Sequence, residues 1–385
     1  MTIMYSILNV PRIVGGPDSI TALVDIVRDA GATRVLIVSD AGVARAGLVA
    51  RPVALLEAAG CTVHVIADTP PEPEVADVER ILRAAAPFKP DFVVGIGGGS
   101  AMDVAKLVSV MQTNAATLAE LLAKKPIEHR GVPMAMVPTT AGTGSEVTPN
   151  SIVLVPEDEL KVGIVHPRLV PDAVILDPAL TVTLPPAVTA STGMDALTHA
   201  IECYCSKKGG PFSDLYGLEA IRLISRSIRR AYRDGSDLAA RHDMLLAAMY
   251  GGACIATSST TAVHALAYPL GGKYRMPHGL SNAILLPFVM EFNIVGSEAR
   301  FKAMAEAMGL PVAGLSDRAA GERFIAELHQ LNADLDIVPS LRDKGITERD
   351  LDGLVAGAAK VTRLLDNNPR PMAHADMRAI YQRLL

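Results

Sequence analysis

Cysteine is scarce in this chain of 385 residues: there are four, Cys61, Cys203, Cys205 and Cys254. So few in so long a chain give no disulfide framework. Cys203 and Cys205 are two apart, so on a helix they point to different faces and do not readily chelate one metal ion. They read as ordinary thiols of a cytoplasmic enzyme. A dense Lys/Arg run is also missing and the net charge is −5, which removes the electrostatic footprint of a nucleic-acid binder. No uninterrupted apolar stretch approaches the ~18 residues of a membrane span. The opening "MTIMYSILNVPRIV" lacks a basic region followed by an apolar one, and reads as an edge strand rather than a secretion signal.

What is present is a long alternation. Apolar runs rich in Val and Ile occur at 32–40, 61–68, 90–99 and 132–140, separated by helical patterns such as "SITALVDIVRDAG" and "VARAGLVARPVALLEAAG". Buried strands alternating with helices indicate a parallel sheet covered on both faces. "DTPPEPEV" (68–75) reads as a rigid loop. After about residue 176 helical periodicity dominates, with Pro185 and Pro186 at the changeover, where a short linker is expected. The reading is an α/β domain over residues 1–184 and an all-helical domain over 185–385.

Two loops follow strands. In "GIGGGSAMDVAK" (95–106), Gly97, Gly98 and Gly99 permit a sharp turn and a close ligand approach, and Ser100 opens a helix. The free N–H groups and positive dipole at that helix start favour pyrophosphate. The usual dinucleotide fingerprint has its acidic residue downstream; here the candidate, Asp40, ends an earlier strand. It suits an adenosine ribose and disfavours a 2′-phosphate, hence NAD over NADP. A helix cap before "AGVARAG" explains it equally well. "VPTTAGTGSEVT" (137–148) offers Thr139, Thr140, Thr143, Ser145 and Thr148 as donors for a ribose or an amide.

In "TGMDALTHAIE" (192–202), Asp195 and His199 lie four apart on a helical pattern in apolar surroundings. His264 sits in "TTAVHALAYPLGG", and His278 in "YRMPHGLSNAILLP" at a turn before another apolar helix. Buried polar groups need partners, and one carboxylate with three imidazoles finds a common one in a divalent cation. This donor set suits zinc or ferrous iron alike. Spacing alone leaves a local hydrogen-bonded Asp–His pair and ordinary core histidines as alternatives.

Together, "GGGSAMDVAK", "PTTAGTGSEVT", "LPPAVTASTGMDALTHAIECY" and "VHALAYPLGGKYRMPHGLSNAILLP" resemble the iron-containing (group III) alcohol dehydrogenase family. That family includes lactaldehyde reductase, 1,3-propanediol dehydrogenase and butanol dehydrogenase types. The resemblance covers nearly the whole chain. It implies an N-terminal dinucleotide-binding α/β domain and a C-terminal helical metal domain, of dehydroquinate-synthase-like architecture, with the active site in the cleft between them. It implies metal ligation by Asp195, His199, His264 and His278. It assigns the cofactor contacts to Asp40, Gly97, Gly98, Gly99, Ser100, Asp103, Thr139, Thr140, Thr143 and Lys161. A homodimer or larger assembly is likewise implied. In one departure, many members carry a second histidine where this chain has Tyr268, four residues after His264 and on the same helical face. Tyr268 is therefore read either as wall packing or as a group near the proton path.

The chemistry so implied is reversible hydride transfer between a small primary alcohol or aldehyde and NAD(H), with Fe²⁺, or alternatively Zn²⁺, as the Lewis acid. Two other readings remain. One is a hydroxyacid or oxoacid substrate of 4-hydroxybutyrate or maleylacetate type, for which Arg275 and Arg370 are the candidate cations. The other is a non-redox metal lyase that also binds NAD.

Overall fold

The computed structural model describes residues 7–156 and 160–385. Residues 8–183 form one compact unit and residues 184–385 belong to a second. In chain order the first unit contains β1 (Arg12–Gly15), α1 (Leu23–Asp29), β2 (Arg34–Val38), α2 (Ala41–Arg45), α3 (Ala50–Ala58), β3 (Thr62–Ile66) and α4 (Val75–Ala85). It continues through β4 (Phe92–Gly97), α5 (Gly99–Met111), α6 (Leu118–Leu122), β5 (Met134–Pro138), β6 (Asn150–Val155), β7 (Leu160–Val165) and β8 (Ala173–Leu176).

Six strands make one sheet in the order β1-β8-β5-β4-β2-β3, and every pairing in it is parallel. Alternation along the strands explains the two cores. Leu36, Val38, Val93, Met134 and Met136 pack with Val78, Ile81, Val104 and Val108 on one face. Val35, Ile37, Phe92, Val94, Ala135 and Val137 pack with Leu23, Ile26, Val27 and Leu56 on the other. With both faces covered, strands read as continuous apolar runs.

Several sequence expectations shift. "VARAGLVARPVALLEAAG" is two helices, because Gly47 adopts φ +76 and stops the first. "SITALVDIVRDAG" begins as a 3₁₀ turn over Ser19–Ala22 before α1. The antiparallel hairpin β6–β7 was not foreseen, nor was the short β8. Of the expected N-terminal edge strand, only Arg12–Val14 fall in a strand, β1, which among the described residues pairs with β8; Met1 to Ser6 lie outside the described residues.

The second unit is helical: α7 (Pro186–Cys205), α8 (Pro211–Arg233), α9 (Leu238–Thr257), α10 (Ala262–Tyr274) and α11 (His278–Asn293). These are followed by α12 (Glu298–Ala307), α13 (Asp317–Asp334), α14 (Leu351–Ala359), α15 (Thr362–Leu365) and α16 (His374–Gln382). The expected linker at Pro185–Pro186 is instead a helix start. Pro186 takes the first position of α7, where a missing N–H costs nothing. Among the described residues, no helix is long and apolar enough to cross a membrane.

Candidate metal centre and nucleotide loops

In the second unit, α7 projects Asp195 and His199 from one face, a turn apart. His264 comes from the first turn of α10 and His278 is the first residue of α11. The α11 start reaches α7 because residue 279 is glycine: a Cβ there would stand 2.3 Å from Ser191 O and 3.3 Å from Asp195 Cβ. The Pro–His–Gly turn therefore brings His278 to the carboxylate.

One donor atom from each of the four residues lies within 4.8 Å of all the others. Asp195 Oδ1 is 3.8 Å from His199 Nε2, 3.9 Å from His264 Nε2 and 3.7 Å from His278 Nε2. Two donors on one ion stand about 3.4 Å apart, so the three Asp195 distances lie within about half an ångström of that spacing. The Asp195, His199 and His264 side chains are 3–6% exposed, whereas His278 is 29% exposed. The site is thus desolvated on three sides and open beside His278. Burial pushes the Asp195 carboxyl up, but His199, His278, His264 and the Asn282 amide outweigh it and hold it below the usual carboxylate range.

Asn282 tests whether a cation suits this cluster. Its Nδ2 lies 2.7 Å from Asp195 Oδ1, 3.1 Å from His264 Nε2 and 3.2 Å from His278 Nε2. Two amide hydrogens face a carboxylate oxygen and two imidazole nitrogens, and Asn282 Oδ1 is buried with no hydrogen-bond partner among the described residues. The donor set converges on a point where a positive centre serves it better than an amide. A divalent cation fits.

Tyr268 also lies here, with its ring centroid 6.4 Å from that of His278. Burial pushes its phenol above the ordinary value, so it stays protonated at neutral pH. Arg370 donates to Phe292 O at 3.0 Å and covers the Phe292 ring at 3.9 Å, so its guanidinium is already engaged. Arg275 ends α10 in the left-handed conformation, φ 50.

Within the first unit, Asp40, the glycine turn and the threonine loop follow β2, β4 and β5, which are neighbours in the sheet. Because β3 and β4 flank β2 on opposite sides, the turn sits at a topological switch point, where open α/β sheets bind ligands. Gly97 adopts φ +155, and a Cβ on it would stand 3.1 Å from Asp40 Oδ2. Thr139 N donates to Gly97 O at 2.9 Å. Cβ atoms on Gly98 and Gly99 would stand 3.6 Å from Thr140 and 2.9 Å from Thr143.

Asp40 Oδ1 accepts from the N–H groups of Gly42 and Val43 at 2.8 and 2.9 Å, so Asp40 is a helix cap as well as a neighbour of the turn. The helix start is one residue earlier than expected: Gly99 is the first residue of α5, and Ser100 Oγ accepts from Glu72 N. The Asp103 carboxylate turns inward. Oδ1 accepts from Ser145 Oγ at 2.5 Å, and Oδ2 from Ile152 N at 2.9 Å. Buried Lys106 ties the same loop, donating to Ser145 Oγ, Thr148 O and Asn150 O. Lys161 lies on β7 and pairs with Glu72 at 2.5 Å.

Sequence reading missed Asn282 and Glu202. Both carried a signal: Asn282 follows His278 by four residues and Glu202 follows His199 by three, so each shares a helical face with a candidate ligand.

A parallel-sheet unit with a glycine turn at its switch point, and a helical unit that gathers a buried Asp–His₃ donor set, define the class of metal-assisted, nucleotide-linked dehydrogenases. The chain belongs to the iron-containing alcohol dehydrogenase family: the iron-containing alcohol dehydrogenase model matches residues 11–178 and the C-terminal model of the same family residues 189–385. It is an oxidoreductase that interconverts alcohols and aldehydes. It is 40% identical over 384 residues to long-chain-alcohol dehydrogenase 1 of Geobacillus thermodenitrificans, with 97% of each chain covered. It is 36% identical over 369 residues to 1,3-propanediol dehydrogenase of Klebsiella pneumoniae, with 95% of each covered. The crystal structure of a 1,3-propanediol oxidoreductase superposes with a TM-score of 0.94 at 35% identity, covering 100% of both chains.

Proposed function

We propose that Asp195, His199, His264 and His278 hold one divalent cation, iron in the first place and zinc as the alternative, and that the chain exchanges hydride between a primary alcohol or aldehyde and NAD(H). The observation that carries this reading is the convergence of four donors from three helices within 4.8 Å. When bound at these residues, a cation would supply Lewis-acid polarisation of a substrate oxygen, and a nicotinamide would supply the hydride carrier.

The residues of the chain do the positioning. Asp195 brings a buried negative charge, and the three imidazoles are held by separate helices, so the cluster is rigid. Gly97, Gly98, Gly99 and Ser100 form the pyrophosphate turn, with Thr139, Thr140 and Thr143 beside it and Lys161 near it through Glu72. Asp103 contributes by holding the threonine loop. Asp40 favours NAD over NADP, because its Oδ2 faces Gly97 while Oδ1 caps α2. Tyr268 packs as wall beside His278, its raised pKa leaving it a poor proton carrier.

A cytoplasmic location accords with four free cysteines. A homodimer or larger assembly accords with the edge of β1 that no strand among the described residues pairs, and with Ile13 on it, 46% exposed.

The test is NADH oxidation against aldehydes from short to long chain, and against oxoacids. It compares Fe²⁺-loaded, Zn²⁺-loaded and chelated protein, with Asp195→Ala alongside. Metal-dependent aldehyde turnover lost in Asp195→Ala is the expected result. Turnover that survives chelation, or none from folded protein that binds NADH, overturns the reading.

A further inference from the structure

Glu202 lies on α7 seven residues after Asp195 and three after His199, on the face that carries both. It is fully buried. An ionised carboxylate in that position must be matched by donors, and three are present. Oε1 accepts from Val263 N at 2.6 Å and from Thr261 Oγ1 at 2.7 Å, while Oε2 meets His264 Nδ1. Thr261 is the N-cap of α10 but makes no side-chain cap of its own. Glu202 therefore supplies, from another helix, the acceptor and negative charge that the α10 start lacks. One carboxylate anchors both that helix start and the imidazole in its first turn.

We propose that Glu202 is a positioning residue that keeps a proton on His264 Nδ1, so that Nε2 presents its lone pair to the Asp195–His199–His278 cluster. The proposal rests on reading that cluster as a metal site. The opposite side of the ring agrees with it: Asn282 Nδ2, which can only donate, lies 3.1 Å from His264 Nε2. A donor at Nε2 and a carboxylate at Nδ1 select the same tautomer. A carboxylate on the far nitrogen also makes an imidazole a more basic and better oriented ligand.

Glu202→Gln separates this role from simple helix capping. If the amide oxygen keeps Val263 N–H and Thr261 O–H, the amide NH₂ faces His264 Nδ1. The ring must then carry its proton on Nε2, pointing into the cluster. Affinity for Zn²⁺ and, without oxygen, for Fe²⁺ is expected to fall about 10–100-fold in chelator competition. The ¹⁵N spectrum of histidine-labelled, metal-free protein should show His264 passing from the Nδ1–H to the Nε2–H form. Thr261→Val removes one donor to Glu202 Oε1 but leaves Oε2 on His264 Nδ1, so it should lower Tm and weaken ion binding far less than Glu202→Gln does, with His264 still in the Nδ1–H form.

Wild-type affinity in folded Glu202→Gln overturns the proposal, and so does a proton on Nε2 of His264 in the unmodified protein. The second measurement needs no variant and decides the matter if Glu202→Gln does not fold. Ion binding by the unmodified chain no stronger than by Asp195→Asn overturns the metal reading itself. Tight binding unaffected by Glu202→Gln overturns only the role given to Glu202.

Discussion

Asp195 Oδ1 stands 3.8 Å from His199 Nε2, one turn further along α7. That is too long for a hydrogen-bonded pair and a few tenths of an ångström beyond the spacing of two donors on one ion, as the proposed cation site requires. Asp195→Asn keeps the shape and removes the charge. We expect metal content of the purified protein to drop to background and turnover to fall by about 10³-fold or more, the loss of several kcal/mol of polarisation. Addition of Fe²⁺ or Zn²⁺ to metal-stripped protein should raise the Tm of the unmodified chain and leave that of the variant unchanged. Metal analysis and a melting curve check both.

Asp40 has two oxygens with two tasks, a cap at Gly42 and Val43 and a face toward Gly97. Asp40→Ser retains a capping oxygen but removes the charge that opposes a 2′-phosphate. Stability should hold, while the ratio of kcat/KM for NADPH to that for NADH rises at least about tenfold, equivalent to about 1.4 kcal/mol. Steady-state kinetics with both cofactors decides it. An unchanged ratio would reduce Asp40 to its cap.

The two inner glycines of the turn should respond differently to a methyl group. On Gly99 it would meet Thr143 at 2.9 Å, whereas on Gly98 the nearest atoms, on Thr140, are at 3.6 Å. Gly99→Ala is expected to destabilise by about 1–3 kcal/mol through overpacking. Gly98→Ala should fold as before and raise KM for NADH, because its methyl group fills the space a pyrophosphate needs. Urea unfolding together with NADH titration distinguishes them.

Glu146, beside Ser145 in the threonine loop, is 1% exposed. Burial pushes its carboxyl up to about 7, against the opposing pull of its own backbone N–H and of Lys106. The folded chain therefore holds this proton more tightly than the unfolded chain. Its stabilising contribution is complete below the usual carboxylate range and is lost as pH rises through 7, a change of about 3 kcal/mol. Glu146→Gln should flatten that part of the stability profile and be the more stable form above pH 7. Denaturant unfolding near pH 5 and near pH 8 measures the slope.

Much of the fold was legible because its strands are buried on both faces. Val35 to Val38 and Val93 to Ile96 had to be apolar throughout, and that marks a parallel sheet. The helix break at Gly47 was not legible, since the residues on both sides have helical periodicity and only a left-handed φ separates them. The hairpin β6–β7 was missed for another reason: its pairing is a long-range choice that local propensity does not encode.

The site divides in the same way. Residue type and helical spacing by themselves determined that Asp195 and His199 share a face, that a glycine turn leads into α5, and which chemistry such donors support. Only the tertiary structure decided that His264 and His278, on other helices, bring their nitrogens to the same carboxylate oxygen. It also decided that Asp103 turns inward to hold a loop, and that Glu202 and Asn282 close around the histidines. The physical reason is range. Periodicity acts over one or two turns of a single helix, whereas a buried cluster depends on how closely helices approach, and here that approach rests on the missing Cβ of Gly279.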